Sequence, residues 1–121
     1  MDIQLNDNLT LDDIQQEFEK KFYYLKLMFF KKSHVDKKGS PKKDLLSGNT
    51  KLININHKNG KIVFDENIPV TELEKLFKEN FGLNVQVFRK SGKSWIETTV
   101  TDSWTLKKQN DQGKELSELS F

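Results

Sequence analysis

Histidine is the residue type best suited to acid–base or metal chemistry at neutral pH, and this chain has two. His34 lies in a lysine-rich stretch and His57 in a predicted turn, and neither has a second ligand at helical or strand spacing. We therefore predict two solvated histidines, no metal site, no cofactor and no Ser-His-Asp grouping. The absence of cysteine further excludes disulfides, thiolate zinc sites, iron–sulfur clusters and cysteine nucleophiles.

The segment Gly92-Lys93-Ser94 resembles the end of a phosphate-binding P-loop. That motif requires another glycine five residues before Gly92, where this chain has Val87, and it requires a helix after the serine. The residues from Trp95 to Val100 instead alternate as a strand does. The sequence therefore predicts a hairpin turn here and no nucleotide site.

Two adjacent pairs of acids, Asp12-Asp13 and Asp65-Glu66, are the remaining candidates for acid–base catalysis. Both pairs lie where a helix is predicted to begin, and negative charge is favourable near a helix N-terminus. Helix capping explains them more simply than catalysis does. We therefore predict that the chain is not an enzyme.

Length and composition favour one domain comprising residues 1–121. Hydrophobic residues make up 35% of the chain, the nine phenylalanines suffice for a core, and the net charge is only +2. The sequence contains no apolar run long enough to cross a bilayer and no recognisable signal peptide. We expect a cytoplasmic protein with no membrane partner.

The most informative pattern is internal similarity. Apolar residues from Ile3 to Phe22 match those from Ile62 to Phe81 at a constant offset of 59 positions, and the following segments match at an offset of 58. We interpret the match as one unit used twice. The predicted divisions are a first repeat over about 2–32, a basic loop and connector over 33–60, a second repeat over about 61–90, and a C-terminal strand and helix over 94–114.

Each repeat is predicted to contain a short strand, a turn, a helix and a second strand. Helical spacing joins Leu11, Ile14 and Phe18 in one stripe, and Val70, Leu73 and Phe77 repeat it. Between the repeats, residues 31–43 carry six lysines against one aspartate and are predicted to form an exposed loop. Leu52–Ile55 is predicted to pair with Ile62–Phe64 as a hairpin, and a short helix carrying Trp104 and Leu106 is predicted to end near Gly113.

These elements favour an α+β fold. We predict that duplicated β-α-β units form a small mixed or antiparallel sheet with two helices on one face. This arrangement would be a ferredoxin-like variant extended by a C-terminal hairpin strand and a short helix. A different strand order stays open, because the opening strands are short enough to serve as edge strands only.

The sheet face opposite the helices is the remaining functional candidate, because alternation places aromatic residues and methionine there. It could be covered by Leu45–Ile55 or by the terminal helix. It could instead bind a protein or a second copy of the chain, or it could bind a single strand of nucleic acid with help from the lysine-rich loop. We favour a protein partner or homo-oligomer over nucleic acid. The predicted contact residues are Tyr24, Lys26, Met28, Phe30, Phe88, Arg89, Lys90 and Trp95.

The segment from Phe81 to Gly92, together with Trp95-Ile96-Glu97-Thr98-Thr99 and Asp102-Ser103-Trp104-Thr105-Leu106, resembles a family of small bacterial proteins of about 120 residues. The resemblance covers most of the chain. It implies a stand-alone bacterial domain, and it implies no activity, ligand or catalytic residue.

Overall fold

A computed structural model of the protein describes residues 1–31 and 42–118. Most of the predicted lysine-rich loop, including His34, lies outside the described residues. Two 3-10 turns occupy Lys42–Asp44 and Leu52–Asn54. The principal elements in chain order are β1 (Asp2–Leu5), α1 (Leu11–Lys21), β2 (Leu25–Phe30), β3 (Gly60–Val63), α2 (Val70–Phe81), β4 (Asn84–Ser91), β5 (Ser94–Glu97) and α3 (Leu106–Glu118).

The predicted α+β class is confirmed, but the strands form two antiparallel sheets where one was expected. β1 pairs with β3, and β2, β4 and β5 form a three-stranded sheet in the order β2-β4-β5. The predicted hairpin between Leu52–Ile55 and Ile62–Phe64 is wrong. Leu52 begins a 3-10 turn and donates its backbone N–H to Leu9 O, while Ile62 lies opposite Ile3 in the β1–β3 ladder.

Local sequence features mark the ends of helices α1 and α2. Thr10 caps α1 in a capping box, in which Asp13 N–H donates to the Thr10 hydroxyl and Thr10 N–H donates to the Asp13 carboxylate. Pro69 occupies the N-cap of α2. The helix ends at Gly82, whose φ of +73° is readily adopted only by glycine.

One hydrophobic core joins both helices to the sheet. The predicted helical stripes of α1 and α2 are completely buried, and they share a cluster with Leu25, Leu27 and Phe29 of β2. Phe29 contacts Phe77 of α2 edge-to-face, with ring centroids 6.2 Å apart. Full burial of a side chain of this size contributes roughly 1.5–3 kcal/mol, so this shared cluster is the main source of stability.

The β1–β3 and β2–β4 ladders place matched residues of the two chain halves opposite each other. Ile3 pairs with Ile62, which lies 59 positions later, and Met28 pairs with Gln86, which lies 58 positions later. These are the offsets at which the sequence resembles itself. An approximate twofold rotation about the centre of such a pair therefore exchanges the two strands of its ladder.

The correspondence extends to segments that the sequence comparison did not include. In the first half, Leu11 N–H donates to Thr50 O. In the second half, Val70 N–H donates to Trp104 O. The next helical N–H groups, those of Asp12 and Thr71, donate to Gly48 O and Asp102 O. In each half, a downstream segment thus closes the first turn of the helix with backbone carbonyls.

Helix α3 is longer than predicted, because it continues through Gly113 to Glu118, and Trp104 precedes it. Gly113 is buried against the loop that leads into β2. A Cβ atom at this position would lie 2.8 Å from Tyr24 Cβ and 3.2 Å from Tyr24 O. Glycine is therefore required for the close approach of α3.

We predict that Gly113→Ala destabilises the protein by about 1–3 kcal/mol, because the added methyl group overlaps backbone and Cβ atoms that cannot rotate away. The same substitution at an unconstrained helical position stabilises by roughly 0.5–1 kcal/mol. Urea unfolding monitored by circular dichroism measures the difference. Lys114→Ala, at an exposed position of α3, is the control and should change stability by less than about 0.5 kcal/mol. An increase in stability for Gly113→Ala would contradict the packing described here.

Candidate interaction face

Strand pairing assigns side chains to the face of the β2-β4-β5 sheet that lies opposite the core. Lys26 lies across from Phe88, and Phe88 lies across from Glu97. Residues directly opposite each other project to the same face, so these three form one row, and Lys90 and Trp95 belong to the next. We call this surface the open face. It consists of Lys26, Met28, Phe30, Gln86, Phe88, Lys90, Trp95 and Glu97.

Exposure varies across the open face. Met28, Phe88 and Trp95 are half-buried, whereas Phe30 is only 4% exposed and has little surface to offer a partner. Lys26 places its ammonium 5.3 Å from the centroid of the Trp95 ring. An ammonium at this distance makes a favourable cation–π contact. The open face therefore combines partly accessible apolar surface with cations held close to it.

The outer edge of β2 is covered by side chains and backbone from elsewhere in the chain. Gln15 of α1 donates from its amide nitrogen to Leu27 O at 2.6 Å, and the same nitrogen lies 3.8 Å from Met28 Sδ. Leu46 N–H donates to Phe29 O at 2.8 Å. Met28 is thus held at a protected edge of the open face.

Gln86, at the centre of the open face, is an exception to ordinary hydrogen-bond satisfaction. Its side chain is 0% exposed. Within residues 1–31 and 42–118, neither its amide nitrogen nor its amide oxygen has a hydrogen-bond partner. An unsatisfied buried amide costs roughly 1–3 kcal/mol. Stability alone would favour an apolar residue at this position.

Two predicted contact residues, Tyr24 and Arg89, face α3 instead of the open face. Tyr24 N–H donates to Asn110 Oδ1 at 2.9 Å, and the Tyr24 hydroxyl donates to the carboxylate of Glu118. Tyr24 precedes β2, so strand alternation does not determine its direction. Arg89 lies opposite the buried Leu25, and alternation therefore directs it to the core side of the sheet.

Arg89 belongs to a polar cluster centred on Gln109. Gln109 is completely buried. It accepts a hydrogen bond from Arg89 Nη1 at 2.8 Å and donates to Thr101 O at 2.8 Å. Burial lowers the pKa of the Arg89 guanidinium from its ordinary value. Sequence reasoning missed this cluster, although the spacing of Leu106, Gln109 and Gly113 repeats the stripe of α1.

The prediction that His57 is solvated is wrong. Its side chain is only 5% exposed, and its Nε2 lies 3.3 Å from Asp7 Oδ1. The ring nitrogens lie 2.7 Å from Ile55 O and 2.6 Å from Asn59 Oδ1. Nε2 thus ties the connector between the halves to the turn after β1, whereas Nδ1 makes its contact within the connector.

The Gly92-Lys93-Ser94 segment forms the turn between β4 and β5. Gly92 has a φ of +64° in the turn between Ser91 and Ser94, which pair with each other, so the predicted hairpin is confirmed. Within residues 1–31 and 42–118, no three His, Asp or Glu side chains converge in an arrangement that could hold a metal ion. Over the same residues, no helix is long and apolar enough to span a membrane.

Comparison of the chain with protein-family models, with curated proteins and with solved structures finds no match. The resemblance to small bacterial proteins therefore stays a prediction.

We predict that Gln86→Leu raises the free energy of unfolding by about 1–3 kcal/mol, because it replaces an unsatisfied buried amide with an apolar group. Chemical denaturation measures the change. Gln16→Leu, on the exposed side of α1, is the control and should shift stability by no more than about 0.5 kcal/mol. Destabilisation by Gln86→Leu would show that the amide has a partner in solution.

We predict an alkaline titration of Tyr24. The hydrogen bond to Glu118 raises the pKa of Tyr24 from 10.0 to about 12, with desolvation adding to the effect. The raised pKa means that this contact contributes stability below pH 10, which is lost as the pH rises through about 12. In a Tyr23→Phe background, tyrosinate absorbance should show Glu118→Gln lowering the pKa of Tyr24 toward its ordinary value. Glu115→Gln, on the same helix, should leave it unchanged, and an equal shift in both variants would contradict the assignment.

Proposed function

We propose that this protein is a non-enzymatic interaction module that binds another protein or a second copy of itself through the open face. The observation that carries the proposal is the partly exposed apolar surface of Phe88 and Trp95, beside the half-buried Met28, on the side of the sheet away from the core. Interface centres are enriched in aromatic residues and methionine, with charges at their margins. Lys26 and Lys90 provide such marginal charges.

Two features favour a protein partner over single-stranded nucleic acid. Lys26 and Lys90 already lie near aromatic rings, at 5.3 Å from Trp95 and 5.8 Å from Tyr23. Glu97 is exposed on the same face, and its carboxylate would repel a phosphate backbone. Stacking platforms for bases need free ring faces beside a continuous basic groove, and the open face matches this description less well.

The doubled architecture is the second part of the proposal. The sequence match, the pairing of Ile3 with Ile62 and the pairing of Met28 with Gln86 support an origin from one repeated β-α-β unit. The matched closure of both helix N-termini supports it further. A ferredoxin-like strand order finds no such support, because β2 pairs directly with β4.

We predict that Phe88→Ser weakens binding to the physiological partner or to a second copy by at least about tenfold, because it removes a central aromatic contact. Ile53→Ser is the matched control, since Ile53 is 63% exposed at a site remote in sequence from the open face. Co-purification from the native host and sedimentation velocity measure the two kinds of binding. Thermal unfolding establishes that both variants fold.

Two results would contradict the proposal. One is equal binding by Phe88→Ser and the native chain. The other is an affinity for the binding partner that falls steeply as the salt concentration rises from about 50 to about 200 mM, because such a fall is characteristic of phosphate contacts. The second result would favour the nucleic-acid alternative.

A further inference from the structure

Over the part of the chain that the structure describes, strand β5 has one row of backbone hydrogen-bonding groups that faces no partner strand. A two-residue turn joins it to β4, so Ser91 and Ser94 form the first hydrogen-bonded pair, and Arg89 and Ile96 form the next. The N–H and C=O groups of the alternate residues, Trp95 and Glu97, therefore point away from β4. No other strand of the described chain pairs with β5.

The opposite edge of the same sheet is treated differently. On β2 the outer carbonyls of Leu27 and Phe29 accept from Gln15 and Leu46, and just beyond the strand Lys31 N–H donates to Asp44 O at 2.8 Å. Proteins commonly cover or blunt edge strands because a free edge pairs with other chains. β5 has no proline, and Ile96 on it is 37% exposed. The free edge of β5 is thus a template for strand addition.

We propose that β5 pairs antiparallel with β5 of a second copy around a twofold axis at Ile96. This inference rests on the proposed function and specifies its partner as the chain itself. The axis at Ile96 sets Trp95 of each chain opposite Glu97 of the other, so both outward-pointing residues of each strand form hydrogen-bonded pairs. An axis at Glu97 would place the Glu97 carboxylates of the two chains opposite each other. An axis at Trp95 would leave Glu97 with no residue of the other β5 strand opposite it.

The side chains complement each other in this register. The two Ile96 side chains meet at the axis in a non-hydrogen-bonded pair, where opposing side chains approach most closely. On the open face, each Glu97 lies beside Trp95 of the other chain, and Lys90 is the cross-strand neighbour of that Trp95. Each Glu97 therefore faces an aromatic side chain, and no second carboxylate, across the twofold axis. This self-complementarity favours a second copy over an unrelated peptide strand.

The assembly would be a continuous six-stranded sheet with two open faces side by side. Four-residue strands bury less surface than a standard interface of roughly 1,600 Å², so we expect a weak, concentration-dependent dimer. Sedimentation equilibrium of the full chain from about 1 μM to about 1 mM measures its dissociation constant.

Glu97→Pro tests the backbone pairing. Proline removes the outward-pointing N–H of residue 97 and leaves the bonds between β4 and β5 intact. We expect the dissociation constant to rise by at least about tenfold. Glu97→Gln keeps the backbone donor and removes only the charge, so it should raise the constant by less than about threefold.

Charge exchange at the axis gives a test that misfolding cannot imitate. Ile96→Lys and Ile96→Glu would each place two like charges opposite each other and should each be monomeric, whereas an equimolar mixture of the two variants should form heterodimers.

A native chain that stays monomeric to about 1 mM overturns the inference, as does a mixture that stays monomeric. A dimer that Phe88→Ser abolishes and the β5 variants leave unchanged also overturns it, while the proposed function stands. If the β5 variants dissociate the dimer and Phe88→Ser does not, the pairing of β5 edges is supported and the open face is not part of the dimer interface.

Discussion

The antiparallel pairing of β2 with β4 is the constraint on which the rest of the molecule depends. With Met28 opposite Gln86, it directs Leu25, Leu27 and Phe29 into the core and leaves the alternate residues on the open face. Because side chains alternate with a period of two, a slip by one residue in either strand would exchange its two sets. One register therefore decides both which residues stabilise the fold and which are available to a partner.

The local sequence pattern was sufficient to predict α1, α2 and the burial of their apolar stripes, because helical periodicity and capping are encoded within a dozen residues. It did not suffice for strand partnership. The connection between β3 and β1 joins residues almost sixty positions apart, and strands of four residues carry too little pattern to specify a partner. Side chains bonded to remote groups, such as His57 and Gln109, were missed because their environment is created only by the tertiary fold.

Strand alternation alone predicts only part of the candidate face. Alternation places Lys26, Met28, Phe88 and Trp95 on the side of the sheet away from the core, but it does not reveal how deeply Phe30 is buried. Nor does it reveal that α3 occupies the space beside Tyr24 and Arg89. The contrast between a covered β2 edge and a free β5 edge likewise depends on contacts made by α1 and by the segment after residue 42.

The way the two halves interlock has a consequence for biosynthesis. Neither β1 nor β2 has its ladder partner within the first half of the chain, since both partners, β3 and β4, lie after residue 59. Such a high proportion of non-local contacts slows folding, and at ribosomal speeds of roughly 5–20 residues per second the first half emerges seconds before its complement. During that interval α1 has no finished sheet to pack on. The nascent chain must keep its phenylalanines from premature association until β3 and β4 have emerged.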